Sequence, residues 1–330
     1  MARIDLIANG SFARVLRDFP IAAADIGSRY GFDTDLEPIA SAVDFVGFEP
    51  DPAEFERLER ASRSFPRIWR SQRYIGSALS GTGGRRKLSI PRVAESTSLL
   101  EHDIDIGNEF GHRAMFEVAQ VLEVDTITLD AALQVHHIAA IQYIKIDIEG
   151  AELEVLAAAP IALEQVLAIK TEVSFIPMRK RQPLAGDIDA FLRERGFILM
   201  DFRAPAHWRR SSRVVHPQLA RDGIPYSRGQ LAQGDYLYFR DPGRIPSEDF
   251  PASIRAAALA MTFGFFDHAN VLLGRPAVAE RLRHGYGIEP ELCVREASLA
   301  FGRRVWAGEF ITHLRRIVTY LRSARTAALG

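Results

Sequence analysis

The segment Ile144-Lys145-Ile146-Asp147-Ile148-Glu149-Gly150-Ala151-Glu152 constrains this chain more than any other. A short, strongly apolar run, 142–146, leads into two carboxylates one residue apart, then a glycine, then a helical pattern that stops at Pro160. Such a run suits a buried strand of a parallel sheet. In an open α/β sheet ligands gather at the carboxyl ends of strands, which places Asp147 and Glu149 at the edge where chemistry takes place. Capping of the next helix, with Glu152 in its first turn, accounts for one of these carboxylates and less well for the pair. Alternation along an extended segment points both side chains to the same side.

The first two-thirds of the chain repeats this strand-then-helix rhythm, which predicts an α/β fold with a mostly parallel sheet. Strands are expected at 21–26, 43–48, 74–80, 166–173, 197–202 and 236–240, the late ones including an antiparallel edge pair. Helices are expected at 52–62, 151–159 and 187–195, the last closed by Gly196. Two prolines and a glycine in Asp241-Pro-Gly-Arg-Ile-Pro mark a boundary. It divides the chain into an α/β domain, 1–245, and a helical extension, 246–330. In the extension Phe310, Ile311, Leu314, Ile317, Val318 and Leu321 recur at helical spacing, with Arg315, Arg316 and Arg322 between them. That amphipathic helix needs a partner surface. The expectation is a cap docked on the α/β domain, with a homo-oligomer interface as the alternative.

Two further strand ends carry candidate ligand contacts. Asp25-Ile26-Gly27-Ser28-Arg29-Tyr30-Gly31 follows the first strand, and a glycine there lets backbone approach a cofactor closely. Its glycines are four apart and Arg29 lies between them, which argues against a pyrophosphate and for a ligand with a carboxylate or amino-acid part. Glu49 ends the second strand, 22 residues beyond Gly27, where an acid accepts hydrogen bonds from both ribose hydroxyls of an adenosine. Asp51 suits helix capping better, since the Glu-rich helix begins right after it. Together the turn and Glu49 point to a nucleoside-containing cofactor.

Composition removes several classes. Of 330 residues 47% are hydrophobic and 25% charged, as in ordinary globular proteins, and the net charge is −1. That balance exerts no global pull toward nucleic acid or anionic membrane, though local basic clusters remain. The single cysteine, Cys293, excludes an intrachain disulfide and multi-cysteine metal sites, and reads as a small buried hydrophobe. No stretch approaches the roughly 20 apolar residues of a membrane span. Asp5 and Asn9 interrupt any leader-like run, so the expected compartment is the cytoplasm. Trp208, beside Arg209 and Arg210 in the long stretch between the last two strands, would suit stacking on a sugar ring. His136 and His137 read as structural or exposed.

Val124-Asp-Thr-Ile-Thr-Leu-Asp130 followed by Ile144–Leu156 resembles the FkbM family of S-adenosylmethionine-dependent methyltransferases. The family's first turn, its E-P-x-P and its stretch ending S-S-L correspond to Asp25–Gly31, Glu49–Pro52 and 78–100, and its closing strand to 234–239. The resemblance implies a Rossmann-like class I methyltransferase: a doubly wound, mostly parallel seven-stranded sheet moving a methyl group to a hydroxyl of a sugar, glycan or secondary metabolite. It implies Asp25, Gly27, Ser28, Gly31, Glu49, Ala78 and Asp147 as contacts to S-adenosylmethionine. Asp147, Glu149 and Glu172 are the candidate catalytic carboxylates, and no metal is demanded. Nucleic-acid partners are not expected. Arg29 departs from the family's usual Asn, and 246–330 lies outside the family domain. The competing readings are a nicotinamide-dependent oxidoreductase, disfavoured by the glycine spacing, and a non-catalytic binding protein on the same fold.

Overall fold

The apolar runs are strands because both of their faces are covered. In the computed structural model, which describes residues 10–64, 68–210 and 228–327, ten strands form two sheets. They are β1 (Ile21–Ile26), β2 (Val43–Phe48), β3 (Ser71–Ile75), β4 (Ala78–Leu79), β5 (Gly84–Pro91), β6 (Val118–Ile127), β7 (Tyr143–Ile146), β8 (Ala168–Ser174), β9 (Phe197–Trp208) and β10 (Gln230–Arg240). The main sheet has seven strands in the order β3-β2-β1-β7-β8-β10-β9. All pairs are parallel except those of β10, which runs antiparallel to β8 and β9. Ile21, Ala23, Val43, Phe45 and Tyr143 pack into a core on one face, and Ala24, Ile26, Val46, Phe48 and Ile144 into a core on the other. This is the doubly wound, mostly parallel seven-stranded arrangement expected from the sequence.

The strand order reverses between β1 and β7, so a crevice opens at their carboxyl ends. Register aligns these ends: Ile26 pairs with both Phe48 and Ile146. Gly27, Glu49 and Asp147 therefore leave the sheet side by side.

Three expectations are corrected. The third strand is Ser71–Ile75, not 74–80. It is an edge strand with only Ile75 buried, so polar residues occupy most of it, and the chain then leaves the sheet. Ala78 and Leu79 instead start a second, three-stranded sheet with β6 and β5. The helix expected at 151–159 is shorter, Glu152–Ala157, and a second helix, Pro160–Gln165, begins with its proline in the first turn, where no N–H is needed.

The third correction concerns the extension. Helix Phe250–Phe263 is buried over most of its length and shares one core with β1, β2 and β10. Helices Phe266–Leu273 and Pro276–Arg281 join that core through Leu272, Leu273 and Val278. The last helix, Pro290–Ala327, docks only through its early turns, where Cys293, Val294 and Ala297 are buried. Phe310, Ile311, Leu314, Ile317 and Val318 are exposed. The docked cap is thus the alanine-rich helix, which already occupies the sheet face. The side chains of Leu321, Arg316 and Arg322 lie outside the described residues, as do residues 211–227 of the stretch before β10.

Candidate active site

Each strand end becomes a site element through a specific backbone turn. Gly27 has φ +87°, and a Cβ there would lie 2.0 Å from the Asp147 carbonyl oxygen, so only glycine fits. The N–H groups of Gly27 and Ser28 both donate to the Phe48 carbonyl at 3.1 Å, tying the β1 turn to β2. Asp25 is buried beneath this turn, 3.3 Å from Lys145 Nζ, and its second oxygen accepts the Asp33 N–H at 2.8 Å. Ser28 is also buried, and Gly31 closes the turn by donating to the Ser28 carbonyl at 2.9 Å.

At the end of β2, Glu49 is 3% exposed, and its Oε1 accepts the Asp51 N–H at 2.9 Å. Arg29 reaches Asp51 at 2.7 Å and stays 4.0 Å from Glu49. Asp51 in turn accepts the Ala53 N–H at 3.1 Å, capping helix Pro52–Ser64. Burial pushes the Glu49 carboxyl up to about 7, against the pull of the Asp51 N–H and Arg29.

The β7 turn is more unusual. β7 ends at Ile146, and Glu149 adopts a left-handed conformation, φ 60°, before Gly150 at φ 108°. That region costs a residue other than glycine about 1–2 kcal/mol. Contacts from elsewhere hold it. Glu152, the first residue of the next helix, accepts the Ile148 and Gly150 N–H groups at 2.9 and 3.1 Å and so ties the turn down, while the helix itself has no side-chain cap. Ser98 Oγ donates to the Glu149 carbonyl at 2.8 Å. The buried Arg179 guanidinium donates to the Glu149 carboxylate. Lys145 Nζ lies 3.6 Å from Asp147 and donates to the Gly27 carbonyl at 3.2 Å.

Asp147, Glu149 and Glu172 thus come together, with an oxygen of each within 4.8 Å of the others. The kinked turn, not strand alternation, produces this. Gln233 donates to Glu172 at 3.0 Å. Burial, reinforced by the neighbouring Asp147 and Glu152 and opposed by Arg179, pushes Glu149 up to about 7. Burial and the Glu149 and Asp147 charges raise Glu172 well above the usual carboxylate range. The spacing would let three oxygens share a proton or bridge a cation.

An open cavity of about 820 Å³, counting its mouth, lies against these turns. Gly27, Glu49, Ala78, Asp147 and Glu149 are in its walls. Asp25, Ser28, Gly31 and Glu172 are not; the first three shape the β1 turn from beneath. The walls also contain Tyr30 and Glu95, whose hydroxyl and carboxylate meet at 3.0 Å. Sequence reasoning passed over these two and Arg179. Arg179 lies 30 residues from Glu149, outside any motif, and leaves no local signal.

Trp208 corrects an expectation. It is 7% exposed and packs against His112, with ring centroids 4.5 Å apart, and against Phe110 and Phe116. A ring committed to this small core does not offer a face to a sugar. His136 ends helix Leu129–Val135 and accepts from Arg73 through its carbonyl, a structural position.

Residues 25–199 match the family model of the methyltransferase FkbM domain. No curated protein matches the chain. Among solved structures, an FkbM methyltransferase from Methylobacillus flagellatus KT aligns at 15% identity and TM-score 0.37, over 67% of this chain and 43% of that one. The chain thus spans less than half the length of that relative. A TehB-like SAM-dependent methyltransferase from Corynebacterium glutamicum aligns at 11% identity and TM-score 0.29, over 71% and 89% of the two chains. The 16S rRNA methylase ArmA aligns at 7% identity and TM-score 0.30, over 73% and 91%.

Proposed function

The chain belongs to the FkbM methyltransferase family, and we propose that it transfers the methyl group of S-adenosylmethionine to a hydroxyl of a sugar, glycan or small secondary metabolite. The observation that carries this reading is Glu149, a buried carboxylate in the cavity wall whose affinity for a proton is centred near neutrality. A hydroxyl is a poor nucleophile until its proton has somewhere to go. A base whose pKa lies near the working pH serves that step best.

The cavity also suits the cofactor. Gly27 lets the β1 turn pack directly on the Asp147 backbone, which brings the two turns together in one wall, and Ala78 is a small residue of the same lining. Glu49 faces the same space with a buried carboxylate, suited to the paired hydroxyls of a ribose. Asp25, Ser28 and Gly31 hold the turn in shape, and Asp147, one of the three clustered carboxylates, is linked through Lys145 to the Gly27 turn. When bound, the cofactor supplies a methyl group on a positively charged sulfur.

The remaining work belongs to this chain. Orientation of acceptor and donor in line accounts for much of the rate in such transfers. Glu149 accepts the acceptor's proton at its carboxylate. Arg179 fixes the position of that carboxylate and favours its ionised form. Lys145 holds Asp147 beside the Gly27 carbonyl. Glu172, held by the Gln233 amide, completes the cluster. The acids around the cluster repel phosphates, which supports a small-molecule or glycan acceptor over nucleic acid. We assign this activity to residues 1–245 and treat 246–330 as an extension.

The test is transfer of labelled methyl from S-adenosylmethionine to a panel of sugars, glycans and hydroxylated metabolites, with amines and RNA as comparators. Label on a hydroxyl oxygen, located by mass spectrometry, is the expected result. Label confined to nitrogen or RNA overturns the acceptor class. Calorimetric binding of NADH without binding of S-adenosylhomocysteine overturns the cofactor.

A further inference from the structure

The last helix carries a feature that methyl transfer does not use. Trp306, Phe310, Leu314 and Ile317 follow one another at intervals of four, four and three, so they form one stripe along Pro290–Ala327. They are 69%, 52%, 46% and 53% exposed. Trp306 and Phe310 stack on each other, ring centroids 5.4 Å apart. A contiguous apolar face of this kind marks a contact surface.

Charge identifies what covers it. Between Arg303 and Arg325 the sequence has six arginines and one glutamate, in a chain whose net charge is −1. Arg304 and Arg315, both exposed, are eleven residues apart and so share a face, opposite Trp306. Six arginines against one glutamate on a single helix favour a partner of opposite charge over a second copy of the same sequence. An anionic bilayer brings the complementary charge. An aromatic and aliphatic stripe backed by Arg304 and Arg315 on the opposite face is the pattern of a helix lying in a membrane interface. Among the described residues no helix is long and apolar enough to cross a membrane, which agrees with a helix that lies on it.

We propose that the helix from about residue 299 onward is an interfacial anchor that docks the protein on anionic lipid. The apolar stripe enters the boundary between headgroups and acyl chains, and the arginines meet lipid phosphates. This reading is independent of the acceptor.

The experiment uses the full chain and vesicles of phosphatidylcholine with or without phosphatidylglycerol. The chain's three tryptophans report selectively, because Trp69 and Trp208 are each 7% exposed and Trp306 is 69% exposed. The expected result is a blue shift of emission and co-sedimentation with the anionic vesicles only, weakening as salt rises. Trp306→Phe should abolish the shift but keep sedimentation. Phe310→Asp with Leu314→Asp should abolish binding while the circular dichroism of the α/β domain is unchanged. Each of Arg304→Gln and Arg315→Gln should lower partitioning about fivefold. Equal binding to neutral vesicles, or none to either, overturns the proposal. So does a stable dimer in sedimentation velocity that Phe310→Asp converts to monomer without any vesicle binding, which would make the stripe a self-interface.

Discussion

The turn after β2 and the turn after β7 each bury one glutamate at the mouth of the same cavity, and in both burial pushes the carboxyl up to about 7. Their surroundings differ. Glu49 accepts one backbone N–H, and its nearest cation, Arg29, is engaged mainly with Asp51. Glu149 sits on strained backbone, φ 60°, in contact with a buried arginine and two further acids. The difference teaches that desolvation alone does not assign a role. A buried acid with hydrogen-bonding capacity to spare anchors a ligand. A buried acid clamped by a cation among like charges is poised to exchange a proton.

The largest expected effect tests the β7 side. Glu149→Gln should lower methyl transfer to an accepted hydroxyl by about a hundredfold or more in single-turnover measurements, with affinity for S-adenosylhomocysteine retained. Asp147→Asn, which disturbs orientation, should cost less. Normal turnover in both would move the base elsewhere, with Glu172 next in line. Loss of the melting transition in both would make the pair structural.

On the β2 side, Glu49→Ala should raise the dissociation constant for S-adenosylhomocysteine about tenfold or more in calorimetry, through loss of charge-assisted hydrogen bonds. A mutant that binds as the parent does would erase the contrast between the two turns.

A pH profile sharpens the comparison further. Both acids act ionised, and both have folded values near 7. Turnover and cofactor affinity should therefore each be present above that pH and fall as pH drops through it. Arg179→Met removes the cation that favours ionised Glu149, so the limb in turnover should move to higher pH while the limb in binding stays. Movement of both limbs together would show that the two turns titrate as one unit.

The smallest effect is expected at Arg29→Asn. The ion pair to Asp51 is partly exposed, and the cation stands 4.0 Å from Glu49. Its loss should weaken S-adenosylhomocysteine binding about two- to fivefold, the scale of such pairs. A larger loss would place Arg29 in direct contact with the ligand.

Legibility in the sequence followed how local each signal was. β1, β2 and β7 were readable because burial on both faces demands apolar residues, and Gly27 and Gly150 mark turns that only glycine makes easily. β3 was displaced because an edge strand with a single buried residue carries little pattern. β5 and β6 were missed as a sheet because most of β6 is exposed on both faces, so period-two alternation has no core to record. Trp208 misled because a sequence cannot show that Phe110, His112 and Phe116 return to cover it.

What the sequence determined by itself was the set of strand–turn–helix units and the acids that end them, since turn geometry and hydrophobic period depend on near neighbours. Only the tertiary structure decided which of those acids meet and which proton each would hold. Arg179 and Ser98 reach Glu149 from distant parts of the chain, and burial is a property of the assembled sheet. The same holds for the last helix. Its amphipathic pattern was written in the chain, but whether the domain covered that face depended on the helix Phe250–Phe263 having already filled the sheet surface.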